Sequence, residues 1–164
     1  MTALLVGAGC SDASVSRREF GDGLAIEVPS GWAWSTDPLV RGSSEVIWLA
    51  TSEVEPGESP TCPGFPAEAV SRLPSDGALL SLSESNLGTD PRERTQDLRE
   101  QLGAQDARME RLRSCVPGAR HVELRSFCFV DGDRVFCVNA ILGTSASTDT
   151  TDAMWEALNS FSVS

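Results

Sequence analysis

His121 is the only histidine in the chain, so a Ser-His-Asp or Cys-His mechanism would have to use it. It lies in the stretch ARHVELRSF, which we predict to be a strand with Val122 and Leu124 pointing the other way. The chain has many serines, but none lies in the Gly-x-Ser-x-Gly turn of a hydrolase nucleophile. We therefore expect His121 to be a solvent-facing strand residue, and we predict a protein without catalytic residues.

The five cysteines are the residues best suited to covalent or metal chemistry. Setting Cys10 aside leaves an even set that could form two disulfides in any of three pairings: Cys62, Cys115, Cys128 and Cys137. A zinc site is the alternative use of these thiols. Because the chain has no Cys-x-x-Cys and a single histidine, we expect no metal site.

The stretch FCFVDGDRVFC has two β-rich runs around Asp-Gly-Asp and predicts a hairpin. With a two-residue loop at Gly132-Asp133, Cys128 lies opposite Cys137 in a non-hydrogen-bonded pair, where side chains approach most closely. A loop at Asp131-Gly132 has the stronger type I′ signature and would place Cys128 opposite Val135. We favour the first register, which leaves the other two cysteines to pair with each other.

Asp131 and Asp133 raise the question of calcium binding or of a carboxylate pair for glycoside chemistry. Their spacing is far shorter than a calcium loop, and aspartate and glycine are the residues that hairpin turns use. Neither GDG nor VGAGC is followed by the lysine and hydroxyl of a phosphate-binding loop. We therefore expect a solvated turn and no cofactor.

The chain has four tryptophans and no tyrosine, so its aromatic surface is concentrated at few positions. Trp32 and Trp34 share strand parity and are predicted to face the same way. Such a pair is usually part of a core or its rim, but tryptophan is also enriched at binding hot spots. Trp32 and Trp34 are therefore our candidate binding surface.

The charge balance argues against nucleic acid as a partner. The chain carries 13 basic residues, all of them arginine, against 24 acidic ones, and its net charge of -11 repels phosphate backbones. An apolar content of 40% is ordinary for a globular domain. After the first ten residues, no stretch approaches the ~20 apolar residues that a membrane-spanning helix needs.

The elements that must position these residues follow an order typical of α+β domains. Apolar patterning predicts strands in FGDGLAIEVPSGWAW, EVIWLATSEV and GALLSLSES, and one or two helical turns in PAEAVSRL. A longer helix is predicted from Pro91 to Cys115, with a capping box formed by Asp90 and Glu93. A hairpin over residues 120–142 and a last helix in DAMWEALNSF complete a single twisted antiparallel sheet with helices packed on it.

The N-terminal stretch contains a short apolar run, TALLVG, followed by small residues and Cys10. It resembles the signal of bacterial lipoproteins, in which an aliphatic residue and two small residues precede the modified cysteine. Ala8, Gly9 and Cys10 match that pattern, whereas Gly7 stands where leucine is usual. The resemblance implies that Cys10 becomes the first mature residue and carries acyl chains.

Three further stretches, LAIEVPSGWAW, FVDGDRVFCVNAIL and MWEALNSFSV, together resemble small secreted domains related to the PsbP and Mog1 fold. Such domains often open on a strand ending in Pro-x-Gly-Trp and close on a helix followed by a short strand. The likeness extends loosely over residues 20–163 and implies a non-catalytic domain with a binding or scaffolding role. The cysteines are not part of that pattern.

These observations divide the chain into a residual signal segment over residues 1–10, a linker over 11–19 and one α+β domain over 20–164. We expect an extracytoplasmic or secreted binding or accessory domain, anchored by its lipid to the outer face of the cell membrane and recognising a protein or small molecule. Two alternatives stay open: a secreted hydrolase using His121, and a purely structural envelope protein.

Replacing Cys10 by serine in the chain with its full native start is expected to move the protein out of the membrane fraction, because the acyl chains are its only predicted membrane attachment. Fractionation of cells that express the wild type and the variant measures this. Equal recovery of both proteins in the membrane fraction would contradict lipidation.

Overall fold

The computed structural model of the chain describes residues 15–57, 62, 65–85, 112, 114–116, 119–131 and 133–164. These residues contain eight strands, two α-helices and one 3-10 turn. The strands are β1 (Ser16–Phe20), β2 (Leu24–Val28), β3 (Ala33–Ser35), β4 (Glu45–Ala50), β5 (Ala78–Ser85), β6 (Val122–Asp131), β7 (Arg134–Gly143) and β8 (Ser162–Val163). The helices are α1 (Ala67–Arg72) and α2 (Thr148–Asn159), and the 3-10 turn is Ala119–His121. None of the helices so described is long and apolar enough to cross a membrane.

Five antiparallel strands form the larger sheet, in the order β3-β4-β5-β7-β6. The central strand is β5, whose residues from Ala78 to Leu82 are all buried. Consecutive residues of a strand point to opposite faces, so a run of buried residues means that both faces of the sheet are covered.

The first core lies on the face of the larger sheet that carries Trp48, Leu79 and Ile141. Its cover comes from α1 and from the segment around Cys115, with the buried residues Ala67, Ala69, Val70, Leu112, Cys115 and Val116. The disulfide Cys62–Cys115 joins two parts of this cover, and Cys62 itself packs against the first core. A covalent link thus joins two parts of this cover that are far apart in the sequence.

The second core lies on the opposite face, which carries Ile47, Leu49 and Leu80. Strand β2 and helix α2 cover this face with the buried residues Ile26, Val28, Met154 and Ala157. Strand β2 belongs to a smaller antiparallel sheet in the order β1-β2-β8. The strand that follows α2 therefore returns to pair with β2, which places α2 beside β2.

Arg134 links the two sheets by hydrogen bonds. Its guanidinium donates from Nε and Nη2 to the two carboxylate oxygens of Glu84, at 2.8 and 2.7 Å, and from Nη1 to the carbonyl oxygen of Asp22, at 2.9 Å. Glu84 lies on β5 of the larger sheet, whereas Asp22 lies in the turn between β1 and β2. The hydrogen bonds from Arg134 lower the pKa of Glu84, so this ion pair persists into acid.

The predicted α+β class is confirmed, but the strands form two sheets where a single sheet was predicted. The separation occurs after β2, where the Trp32 amide donates to the Pro29 carbonyl at 3.2 Å and Gly31 adopts a φ of 80°. Proline offers no amide hydrogen to a sheet, and a positive φ turns the chain, so β3 leaves β2 and pairs with β4 instead.

The hairpin has the register that we favoured. Cys128 lies opposite Cys137 and Asp131 lies opposite Arg134, so the alternative with Cys128 opposite Val135 is wrong. The Cα atoms of the two cysteines are 4.0 Å apart, and a disulfide joins them. With Cys62–Cys115, both predicted disulfides are present.

The predicted linker differs from the structure, and two other predicted segments extend beyond the described residues. Residues 16–19, predicted to belong to the linker, are part of β1, because their backbone pairs with β2 although their side chains are exposed. The segment before Val15, with Cys10, lies outside the described residues. So does most of the predicted helix from Pro91 to Cys115, including its capping box, although Leu112, Ser114 and Cys115 are helical.

The two disulfides are expected to contribute unequally to stability. The cysteines of Cys62–Cys115 are 53 residues apart and those of Cys128–Cys137 are 9 apart. In the chain-entropy model, their loss costs about 4 and about 2.5 kcal/mol respectively, because the longer loop loses more entropy on closure. Urea unfolding of the paired variants Cys62→Ala/Cys115→Ala and Cys128→Ala/Cys137→Ala measures both free energies. A larger loss from the hairpin pair would contradict this order.

Candidate functional site

A cleft of about 330 Å³ lies between α2 and the turn that joins β2 to β3. We call it the Trp32 cleft. Its apolar wall is formed by Val15, Pro29, Trp32, Ala153 and Ala157. Trp32 is half-buried and packs against the second core, so one side of the indole is held by protein while the cleft lies beside it.

Local hydrogen bonds fix the two walls of the Trp32 cleft. The turn hydrogen bond between Trp32 and Pro29 sets the position of the indole. On the other wall, α2 begins with a side-chain cap, in which Ser147 Oγ accepts from the Thr150 amide at 3.0 Å. At the far end of α2, Ser160 Oγ accepts from the Glu27 amide at 2.7 Å and so ties β2 to the helix.

The polar lining of the cleft is acidic. Among the described residues, it includes Glu27, Asp149 and Glu156, and no arginine. Within the part of the chain that the structure describes, the ion pairs use other carboxylates, namely Glu55, Glu68 and Glu84. None of these ion pairs includes a residue of the cleft, although Arg17 is the cross-strand partner of Glu27. The negative charge of the cleft therefore comes mainly from Asp149 and Glu156 on α2.

Trp34 lies on the second-core face of the larger sheet, because it is opposite Leu49. Trp32 precedes β3 and packs against the same core, so the two side chains lie on the same side, as predicted. It does not line the Trp32 cleft. The indole is 37% exposed, and the Arg18 guanidinium lies 5.0 Å from its ring centroid. The two tryptophans thus have different environments: Trp34 stacks with an arginine of the chain itself, whereas Trp32 borders the cleft.

His121 lies in the 3-10 turn before β6, so the prediction that it is a strand residue is wrong. The turn is favoured because Thr144 donates to the His121 carbonyl at 2.8 Å, which ties this residue to the end of β7. Its Nε2 lies 3.1 Å from the Leu73 carbonyl oxygen, which can only accept a hydrogen bond. A hydrogen bond at this contact therefore requires Nε2 to be the donor.

The remaining acidic candidates take up turn positions. Asp131 is the last residue of β6, and Asp133 lies in the turn before β7. Across the described residues, no group of three histidine, cysteine, aspartate or glutamate side chains is arranged to hold a metal ion.

A second polar cluster, which the sequence analysis missed, surrounds Glu45. Its carboxylate accepts from Ser81 Oγ and from the Leu39 amide, beside a small cavity of about 60 Å³ that Asn139 also lines. Burial raises the pKa of Glu45, and the two hydrogen bonds partly offset this effect. Both carboxylate oxygens are engaged within the fold, so this cluster holds the loop at Leu39 against β5. The alternation of leucine and serine in β5 was the available signal, since it places Ser81 on one face.

Models of known protein families do not match the chain, and no curated protein matches it significantly. The α+β class by itself implies no activity, because one fold carries many functions.

Replacing Glu45 by glutamine is expected to change the pH dependence of stability. The raised pKa means that the folded state binds more protons than the unfolded state just above the ordinary pKa of 4.5. The contribution of Glu45 to the stability of the wild type therefore falls as pH rises through its folded pKa, and Glu45→Gln lacks this contribution. Urea unfolding between pH 4 and pH 7 should show that the free energy of unfolding of the variant increases relative to that of the wild type as pH rises.

The matched control is Glu123→Gln on β6, because the Glu123 side chain is exposed. We expect the difference in free energy of unfolding between Glu123→Gln and the wild type to stay constant over the same pH range. If the difference in free energy of unfolding were also constant for Glu45→Gln, the expected effect of burial on the pKa of Glu45 would be contradicted.

Proposed function

We propose that this protein is an extracytoplasmic, lipid-anchored binding domain without catalytic activity, and that it binds a ligand in the Trp32 cleft. The observation that carries this proposal is the cleft itself. Its volume of about 330 Å³ is at the small end of the range of small-molecule sites, which is about 300–1,000 Å³. An aromatic wall beside a few polar groups is the usual composition of such sites.

The cleft is held by elements from both ends of the domain, since β2 and α2 are tied together through Ser160 and through the second core. Such a cleft does not depend on one mobile loop for its shape. The α2 wall belongs to a regular element, and the turn that carries Trp32 is fixed by the Trp32–Pro29 hydrogen bond. A site on positioned elements favours selective binding.

The location is supported by the two disulfides, which are compatible with an extracytoplasmic compartment, because cytosolic thiols are kept reduced. Cys10 precedes Val15 by five positions, a length that spans at most about 18 Å when extended. Val15 lines the cleft. A lipid on Cys10 would therefore hold the cleft close to the membrane surface, where it would meet ligands in the extracytoplasmic space.

The absence of catalysis is supported by the position of His121, whose Nε2 lies 3.1 Å from the Leu73 carbonyl oxygen. This contact ties one of the two ring nitrogens of His121 to the backbone of the fold. We expect His121→Ala to leave ligand binding unchanged.

The proposal is tested by amide NMR spectra of the isotope-labelled full chain carrying Cys10→Ser, recorded with a panel of small cationic, neutral and anionic molecules. At least one class is expected to shift the amide signals of residues 27–32 and 149–157. Trp32→Ala should abolish these shifts, because it removes the aromatic wall, whereas Trp34→Ala should retain them.

Thermal melts of both variants show whether the fold is intact. If Trp32→Ala is too unstable, Ala153→Leu provides a second variant that fills the cleft from the side of α2. The binding function would be contradicted if no class shifted the cleft signals, or if Trp34→Ala alone abolished the shifts.

A further inference from the structure

We infer that the Trp32 cleft binds a small organic cation, in which an alkylated ammonium group is joined to an apolar body. This inference rests on the proposed function and adds the chemical class of the ligand. It is carried by an aromatic wall for which the described residues supply no cation–π partner, and by acidic residues beside it that take no part in the described ion pairs.

The aromatic wall suits a cation. An indole face attracts a cation within about 6 Å of the ring centroid, and tryptophan does so best among the aromatic residues. Within the described residues this chain makes two such contacts itself, with Arg18 over Trp34 and Arg134 over Phe136. Trp32 has no such internal partner, so its exposed ring surface is open to a ligand.

The charges around the indole also favour a cation. Asp149 and Glu156 lie on the α2 wall, and Glu27 lies on the β2 wall, where Arg17 is its cross-strand partner. Negative charge therefore faces the cleft mainly from α2. None of the described residues that line it is basic. The net charge of -11 adds a long-range field that attracts cations and repels anions.

The N-terminus of α2 does not reverse this preference. A helix N-terminus carries partial positive charge and would favour an anion. Here the Thr150 amide already donates to Ser147 Oγ, and Asp149 supplies a carboxylate within the first turn of the helix. The partial positive charge at the N-terminus of α2 is thus already offset by Ser147 and Asp149 of the chain itself.

An alkylated ammonium fits better than a primary one. Asp149 and Glu156 are exposed, so they attract charge from the rim of the cleft without enclosing it. A primary ammonium is strongly hydrated and would lose water without gaining a set of buried hydrogen bonds. Methyl groups on nitrogen instead match the apolar wall of Trp32, Val15 and Ala153, and a quaternary ammonium keeps its charge at every pH.

The experiment compares three molecules of similar shape and different charge: choline, its neutral carbon isostere dimethylbutanol, and the carboxylate dimethylbutanoate. Amide NMR titrations of the full chain carrying Cys10→Ser measure each affinity. We expect choline to bind at least ten times more tightly than the neutral isostere, and the carboxylate to bind most weakly. Phosphocholine separates a free ammonium from a phospholipid headgroup, and we expect its phosphate to weaken binding.

Single charge changes locate the effect. Glu27→Gln, Asp149→Asn and Glu156→Gln are each expected to weaken choline binding about twofold to fivefold at low salt, and less at high salt. Asp152→Asn is the matched control, because Asp152 is an exposed carboxylate on α2 that does not line the cleft. Trp32→Leu keeps an apolar wall and should reduce the preference for choline over its neutral isostere.

The outcomes separate the two proposals. Binding of the neutral isostere or the carboxylate in the cleft, without tighter binding of choline, would overturn the cationic ligand and leave the binding function standing. No binding by any member of the wider panel would overturn both. Tighter binding of phosphocholine than of choline would overturn a free ammonium ligand.

Discussion

The larger sheet has apolar side chains on both faces, and the rest of the structure depends on covering them. The central strand places Leu79 in one core and Leu80 in the other. Because burial of apolar area is the main favourable contribution to folding, neither face can be left open to water. One cover comes from the middle of the chain, with α1 and the disulfide at Cys115, and the other from the two ends of the domain.

The Trp32 cleft is a consequence of the second cover. That cover consists of a strand and a helix rather than two similar elements, and β8 brings the chain back to β2 after α2. A strand and a helix do not fill the space between them evenly, and the turn at Gly31 places the indole beside the gap. The candidate site is therefore built from the same packing that closes the second core.

Polar groups inside this framework have mainly structural partners. The two carboxylate oxygens of Glu45 accept hydrogen bonds from Ser81 and from the Leu39 amide. The Arg134 guanidinium donates to Glu84 and to the Asp22 carbonyl. An unpaired buried polar group is costly, so such contacts are required wherever the fold buries one. Against this background the carboxylates of the Trp32 cleft differ, because they lie at a cavity and the described ion pairs do not include them.

Local patterns in the sequence were sufficient for the α+β class, the hairpin and its cysteine register, and the shared face of Trp32 and Trp34. Each depends on strand alternation or turn residues, which act between near neighbours. The division into two sheets, the 3-10 turn at His121, the cluster at Glu45 and the Trp32 cleft were decided by tertiary structure. Glu27 and Glu156 meet at one cleft only because β8 returns to β2, and pairing between distant segments leaves no periodicity that either segment shows alone.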